Sequence, residues 1–157
     1  ETNCKVIETN QRSDGTWDIV TDKGTIHTEH VVNAGGLWAR EVGAMSGVYL
    51  PLHPMEHQYI VTDDIAMIYE RDEEHPHVMD PSGESYLRQE GRGLCIGFYE
   101  QPCKPWAVDG TPWNFGHELL ADDFDKINDS IEFAYKRFPV LETAGVKSVI
   151  HGPFTFA

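Results

Sequence analysis

Residues 51–62 carry a histidine and a tyrosine at an interval typical of one face of a strand. His57 and Tyr59 are two positions apart, so they point to the same side of an extended chain, and Gln58 points to the other side. An imidazole titrates near neutral pH and can accept a proton from a substrate. A strand histidine is more often a hydrogen-bonded packing residue, and the pattern alone leaves both interpretations open.

A second segment, residues 84–89, places Tyr86 and Arg88 on one face of a predicted strand. Because a guanidinium presents a fork of N–H donors, this pair could bind a carboxylate beside a phenol. The same two side chains would be equally ordinary at a solvated rim. The pattern does not decide between these two roles.

Small residues follow a short apolar run at residues 31–36, which read Val-Val-Asn-Ala-Gly-Gly. We expect a strand to end at Ala34 and Gly35, and a helix to run from Leu37 to Met45. Small side chains would let the backbone approach a bound group closely, and the N–H groups of a helix start attract anions. Such corners also occur for packing reasons, so a cofactor role is one of two interpretations.

The elements that would carry these residues are mainly strands. Alternation and turn signals predict strands at residues 4–8, 17–21, 25–33, 52–62, 85–89, 94–99 and 146–150. The tight turns at residues 22–24 and 90–93 predict two hairpins. Residues 63–83 are rich in Asp, Glu, His and Pro, and we predict a long loop there.

One helix is predicted at residues 122–138. Its apolar positions, spaced by three or four residues, are Phe124, Ile127, Ile131, Ala134 and Phe138. Pro139 ends it. The fold class is therefore mixed α+β with mostly antiparallel pairing, because a doubly wound parallel sheet would need more helices.

Composition excludes several classes of protein. The 157 residues include 12 Lys plus Arg against 26 Asp plus Glu, a net charge of −14, which argues against binding to a nucleic-acid backbone. No run approaches the roughly 18 to 20 apolar residues of a membrane span. The three cysteines are odd in number and lack paired metal-ligand spacing. We expect a soluble, acidic, intracellular domain from a reducing compartment.

The ends of the chain predict a segment of a longer protein. Glu1 enters an extended pattern almost at once, and the last residues, 152–157, are mainly apolar and aromatic. The alternative is a complete small protein whose start was trimmed.

Four segments together resemble the family of dimethylglycine and sarcosine dehydrogenases, FAD-dependent oxidoreductases of the D-amino-acid oxidase superfamily. They are residues 31–42, the run His57-Gln58-Tyr59, the run Tyr86-Leu87-Arg88 and residues 152–156. The resemblance implies that residues 1–47 are the C-terminal piece of an FAD-binding domain and residues 48–157 an incomplete substrate-binding domain. Because the family's Gly-rich fingerprint is missing, we expect the isolated chain to be inactive and to bind FAD weakly.

The resemblance also implies a set of cofactor contacts. Val6 matches a position whose backbone meets the adenine end of FAD. Ala34, Gly35 and Trp38 match a turn that lies against the cofactor, although its usual Ala-Ala-Gly or Cys-Ala-Gly reads Ala-Gly-Gly here.

For the substrate, the resemblance implies that His57 and Tyr86 are catalytic residues near the amine. Tyr59 is assigned to substrate binding, and Arg88 is our own suggestion for the substrate carboxylate. The implied reaction oxidises dimethylglycine or sarcosine by hydride transfer to FAD, after His57 accepts the proton of the ammonium group. The methyl carbon would leave as formaldehyde or pass to tetrahydrofolate in a C-terminal domain outside this chain.

The implied partners are a small methylamine substrate and an electron acceptor, either oxygen or an electron-transfer flavoprotein. No nucleic acid or membrane partner is implied. The expected location is the bacterial cytoplasm, or the mitochondrial matrix if the protein is eukaryotic.

Two alternatives stay open at this level. A non-catalytic protein of the same fold, similar to the pyruvate dehydrogenase phosphatase regulatory subunit, also carries a Glu-His-x-Tyr run. A general amino-acid oxidase would differ in its substrate domain. His75 and His77 lie in an acidic loop, where histidines are usually solvated, so we predict no metal site.

Overall fold

The computed structural model describes residues 1–157, which form two compact units. The first comprises Glu1–Pro54, Ala107–Phe115 and Thr155–Ala157, and the second comprises Met55–Trp106 and Gly116–Phe154. The division predicted after residue 47 concerns domains of a longer protein, and it stays a prediction. No helix of the chain has the length and apolar character needed to cross a bilayer.

The first unit contains a three-stranded antiparallel sheet and one short helix. Its elements are β1 (Val6–Gln11), β2 (Trp17–Thr21), β3 (Gly24–Thr28), a 3-10 turn at Gly36–Trp38 and α1 (Ala39–Met45). Gly24 has a φ of 135°, a conformation that glycine adopts without strain, and it closes the turn between β2 and β3. The first hairpin is therefore confirmed, and β1 begins two residues later than the predicted strand at residues 4–8.

The strand predicted at residues 25–33 is shorter than expected. Its last pair joins Thr28 to Trp17, the first residue of β2, so no partner strand extends beyond it. Residues 29–35 consequently have no regular structure, and Val32 is 86 % exposed. The prediction that Ala34 and Gly35 directly end a strand is wrong, because a β-branched run needs a hydrogen-bonded neighbour to form one.

The second unit is built on a six-stranded sheet with the order β5-β6-β7-β4-β8, and β9 also pairs with β4. Its strands are β4 (His53–Thr62), β5 (Val78–Asp80), β6 (Ser85–Glu90), β7 (Gly93–Phe98), β8 (Lys104–Pro105) and β9 (Val146–Phe156). The pairs β5·β6, β6·β7, β7·β4 and β4·β8 are all antiparallel. Mixed α+β architecture with mostly antiparallel pairing is thus confirmed, as is the second hairpin.

Residues 63–83 are more ordered than a long loop. They contain α2 (Ala66–Tyr69), β5 and a 3-10 turn at Pro81–Gly83. Ile65 and Ile68 are buried in the core, and β5 pairs with Ser85–Leu87 of β6. Tertiary packing and strand pairing supply the order here, although the local composition is polar.

The core of the second unit lies between one face of the sheet and α3 (Phe124–Arg137). The buried cluster comprises Ile60, Ile65, Ile68, Leu94, Ile96, Phe98, Ile127, Ala134 and Leu141. Asp123 caps the helix because its side chain accepts a hydrogen bond from the amide of Lys126 at 3.3 Å. Pro139 follows the helix end, so the predicted helix is confirmed with slightly tighter bounds.

Strand β4 alternates strictly between a buried and a half-buried face. Gln58 belongs to the buried face and is only 2 % exposed. Its amide nitrogen donates to the carbonyl of Asp123 at 2.5 Å, and its amide oxygen accepts from the Asp123 backbone N–H at 3.2 Å. One buried side chain thereby fixes the start of α3 against the strand.

Replacing Gln58 with leucine should destabilise the chain. Gln58→Leu removes the hydrogen-bond partner of both the N–H and the carbonyl of half-buried Asp123. A fully buried group left without its hydrogen bond costs about 1 to 3 kcal/mol, so we expect a loss toward the lower end of that range for each group. Urea unfolding followed by circular dichroism would measure the loss. Gln101→Leu changes an exposed glutamine for which no side-chain contact is observed, so it is the matched control. Equal stability of the two variants would contradict this account.

Candidate active site

A cavity of about 360 Å³ opens on the half-buried face of the sheet in the second unit. Aromatic rings form most of its wall. Its lining residues are His57, Gln58, Tyr59, Tyr86, Phe98, Tyr99, Ile150, Gly152, Pro153 and Phe154. The sheet therefore brings three of the predicted substrate-side residues, His57, Tyr59 and Tyr86, to one cavity.

Strand register explains why these side chains meet. Tyr59 lies opposite Gly97 of β7, and Gly97 lies opposite Tyr86 of β6, so the three positions form one row across the sheet. Directly opposed residues share a face. Tyr59 and Tyr86 thus face the same side with a glycine between them.

Gly97 leaves room for the ring of Tyr86. A Cβ placed on Gly97 would collide with the ring carbons and the hydroxyl of Tyr86. A glycine inside a buried apolar strand often marks such a close approach. That signal was present in the sequence, in the run Leu94–Phe98, but our sequence analysis did not use it.

The imidazole of His57 is anchored by a carboxylate. Its Nδ1 donates to Oε2 of Glu100 at 2.7 Å, and Glu100 is 3 % exposed. The ring also meets Tyr99 and Phe154 edge-on, with centroids 6.1 and 6.2 Å away. Sequence reasoning missed Glu100, Tyr99 and Phe154, because each is at least 40 positions distant from His57 and no local pattern connects them.

Cys103 lies beside the other nitrogen of the same ring. Its Sγ is 3.9 Å from Nε2 of His57, and its thiol donates to the backbone carbonyl of Glu100 at 3.1 Å. The segment that follows β7 therefore contacts the imidazole through both a carboxylate and a thiol.

Tyr86 is partly withdrawn from water. Burial raises the pKa of its phenol above the ordinary value, and its ring lies 5.8 Å from that of Tyr99 at an angle of 50°. Because Tyr99 contacts both His57 and Tyr86, it joins the two predicted catalytic side chains into one aromatic wall.

Arg88 lies outside this cavity. It lines a separate groove of about 600 Å³, which shares Tyr59 and Ile150 with the cavity. Its guanidinium pairs with the carboxylate of Glu90, and this contact raises the pKa of Arg88 further above its usual range. A substrate carboxylate would have to compete with Glu90, so the role suggested for Arg88 stays a prediction.

The predicted cofactor residues belong to the first unit. Val6 pairs with Thr21 at the start of β1, and Ala34 is exposed. Gly35 donates its N–H to the side-chain oxygen of Asn33 at 3.0 Å. Their cofactor contacts stay predictions.

Trp38 and Gly35 also have structural roles within the first unit. The indole of Trp38 donates to the carbonyl of Pro112 at 3.0 Å, which fixes the ring. A Cβ on Gly35 would approach the backbone of Ala39 to 3.1 Å, so local packing also favours a glycine there.

No group of three or more His, Cys, Asp or Glu side chains converges as a metal site would require. His75 instead donates its backbone N–H to the side chain of Gln89 at 3.0 Å. His77 is exposed.

The cavity as a whole suits a small organic cation. Ring faces attract ammonium groups, and apolar walls limit the water around them. An imidazole supported by a buried carboxylate can accept a proton, and a neutral phenol can orient a polar atom. The arrangement could therefore bind a small cation and accept a proton from it.

Adding a methyl group at Gly97 should disturb the site through Tyr86. We expect Gly97→Ala to destabilise the chain by about 1 to 3 kcal/mol, the usual cost of overpacking, as measured by urea unfolding. Gly116→Ala is the matched control, because nothing lies within 4 Å of a Cβ placed there. The cost should shrink in a Tyr86→Ala background. A cost that persists unchanged in that background would show that Tyr86 is not the residue displaced.

The phenol of Tyr86 should ionise at a higher pH than the phenol of an exposed tyrosine. Burial disfavours the phenolate, so its raised pKa keeps the phenol neutral in the folded chain. The stability that this contributes is fully present below the unfolded pKa of about 10 and is lost as pH rises through the folded pKa. In a pH titration, tyrosinate absorbance should show a component that rises only at high pH, and Tyr86→Phe should remove that component. Tyr49, which is 86 % exposed, supplies the ordinary reference.

Two mitochondrial dehydrogenases are similar to this chain in sequence. Over 151 residues the chain is 43 % identical to mitochondrial dimethylglycine dehydrogenase from Mus musculus, covering 93 % of this chain and 17 % of that protein. Over 138 residues it is 40 % identical to mitochondrial sarcosine dehydrogenase from the same organism, covering 88 % of this chain and 14 % of that protein. The chain thus spans less than a fifth of these relatives.

A solved structure shows the same fold. The crystal structure of L-proline dehydrogenase from P. horikoshii matches with a TM-score of 0.70 at 22 % identity, covering 96 % of this chain and 37 % of that one. The family model described as FAD dependent oxidoreductase matches residues 1–155. The chain therefore belongs to this family of FAD-dependent oxidoreductases.

Proposed function

We propose that the protein to which this chain belongs oxidises N-methylated glycine derivatives, dimethylglycine or sarcosine, and removes a methyl group from the amine. The observation that carries the proposal is the placement of His57 and Tyr86 on one ring-lined cavity, with Glu100 behind the imidazole. The names of the two dehydrogenases with about 40 % identity support the same substrate class.

FAD is the cofactor of the family, and the first unit contains residues that fit it. Ala34 is exposed, the backbone of residues 29–35 is not committed to a sheet, and open space surrounds a Cβ placed on Gly36. Small residues on an unpaired backbone permit close approach of a planar group. We propose that Ala34, Gly35, Trp38 and Val6 contact FAD, which when bound supplies the acceptor for a hydride.

The residues of the cavity would prepare the amine for that transfer. A methylated glycine is an ammonium ion at neutral pH, and its nitrogen must lose a proton before an adjacent carbon can release hydride. His57 accepts this proton, and the carboxylate of Glu100 compensates the positive charge that forms on the imidazole. The apolar rings around it keep bulk water from the nitrogen.

In this scheme Tyr86 orients the substrate or His57 and does not transfer a proton. Its phenol is protonated at neutral pH, and burial raises its pKa further, so it can donate a hydrogen bond to the substrate or to His57. Tyr59 forms the neighbouring wall and contacts the substrate. The iminium product is hydrolysed to formaldehyde, or its one-carbon group passes to tetrahydrofolate if a folate domain follows in the longer protein.

The electron acceptor and the location of the protein belong to the same proposal. We propose oxygen or an electron-transfer flavoprotein as the acceptor. The mitochondrial names of the two relatives favour the matrix for a eukaryotic source, and a bacterial protein would act in the cytoplasm.

Anaerobic reduction of the flavin tests the function directly. Adding dimethylglycine and then sarcosine to the full-length flavoprotein should bleach the flavin absorbance. His57→Ala should slow bleaching by about 10²- to 10⁴-fold, the usual contribution of a general base. His77→Ala replaces an exposed histidine and is the matched control.

The outcomes separate the alternatives. Bleaching that survives His57→Ala would retain the enzyme and reject His57 as the base. Flavin that is bound but not bleached by either amine would reject this substrate class and favour another amine or a regulatory role. Flavin that stoichiometrically copurifies with residues 1–157 alone would contradict the expectation that this chain binds FAD weakly.

A further inference from the structure

We propose that Glu100 is the positioning residue of His57: its carboxylate holds Nδ1–H and so directs the proton-accepting lone pair to Nε2. The inference rests on the proposed function, and it adds a residue that neither the sequence nor the comparisons indicate. Glu100 lies immediately after β7, and His57 lies on β4, the strand that pairs with β7.

The contact has the geometry of a charge-assisted hydrogen bond. Nδ1 of His57 and Oε2 of Glu100 are 2.7 Å apart, with 15 % and 3 % of the two side chains exposed. A buried carboxylate is costly unless it is paired. Lys126 lines the same cavity as Glu100 but forms no ion pair with it, so the Nδ1–H of His57 is the side-chain hydrogen-bond partner observed for this carboxylate.

The chemistry of imidazole makes this contact decide the tautomer. In the neutral ring one nitrogen carries the proton and the other accepts. A carboxylate accepts hydrogen bonds and does not donate, so it selects the tautomer with the proton on Nδ1. Nε2 is then the basic nitrogen, and the carboxylate also stabilises the imidazolium that forms when Nε2 takes up a proton.

A neighbouring thiol lies beside the other nitrogen of the ring. Cys103 bonds to the backbone carbonyl of Glu100 and sits 3.9 Å from Nε2. Backbone and side chain of Glu100 therefore act together, since one holds the thiol and the other holds the imidazole. A carboxylate and a thiol from one short segment therefore lie beside the two nitrogens of the ring.

Replacing Glu100 in the full-length flavoprotein tests the assignment. Glu100→Gln keeps the size of the side chain but lets an amide N–H face Nδ1. We expect the limiting rate of anaerobic flavin reduction by dimethylglycine to fall about 10- to 100-fold, as when a supporting partner of a functional histidine is lost. The half-saturating concentration should change little, because Glu100 does not line the cavity. Glu142→Gln, at an exposed position, is the matched control.

A double-mutant cycle shows whether Glu100 acts through the imidazole. In a His57→Gln background the Glu100→Gln change should cost no further rate, because its effect passes through His57. Glu100→Asp retains the carboxylate and should recover part of the rate. Additive losses in the cycle, or no recovery with aspartate, would overturn the proposal.

A second measurement needs no turnover and separates this inference from the proposed function. Diethyl pyrocarbonate modifies the unprotonated nitrogen of imidazole, and peptide mass spectrometry reports the rate at His57, with His77 as the internal reference. Glu100→Gln should slow modification of His57 several-fold and leave His77 unchanged. If neither amine reduces the flavin of the wild-type protein, the proposed function fails, but the diethyl pyrocarbonate measurement still tests the role of Glu100. An unchanged modification rate at His57 in Glu100→Gln would overturn the proposed role of Glu100.

Discussion

The strict alternation of β4 is the constraint on which the second unit depends. Positions with even numbers face the core, where Ile60 belongs to the buried cluster that includes Ile127 and Ala134 of α3, and Gln58 fixes the start of that helix. Positions with odd numbers face the cavity, where His57 and Tyr59 lie. A shift of one residue in register would exchange the two sets, burying the imidazole and exposing the core. Stability and the candidate chemistry are therefore specified by one strand.

Two buried carboxylates of this unit, Glu56 and Glu100, each have a partner. Glu56, on the core face of β4, accepts from the ammonium of Lys104 at 2.9 Å and lies 3.6 Å from His151. The hydrogen bond to Glu56 raises the pKa of Lys104. Glu100 pairs with His57 on the opposite side. Two carboxylates near one strand thus have separate partners, and the partner of Glu100, His57, lines the candidate active site.

The sequence predicted the periodic elements well. The hairpin of β6 and β7, the extended β4 and the helix α3 each follow from alternation, turn residues or helical spacing. The segments that it predicted poorly take their structure from distant partners. Residues 29–33 are not a strand because β2 has ended, and β5 is a strand because β6 is beside it. Local composition carries no information about either partner.

By itself, the sequence determined the family, the fold class and the pairing of His57 with Tyr59 on one face, because period-two alternation and short motifs are local properties. Only the tertiary structure decided which groups surround the imidazole. Glu100, Tyr99 and Cys103 reach His57 through the pairing of β7 with β4, across separations of more than 40 residues. Contacts of that kind depend on strand order and register, which alternation along a single strand does not encode.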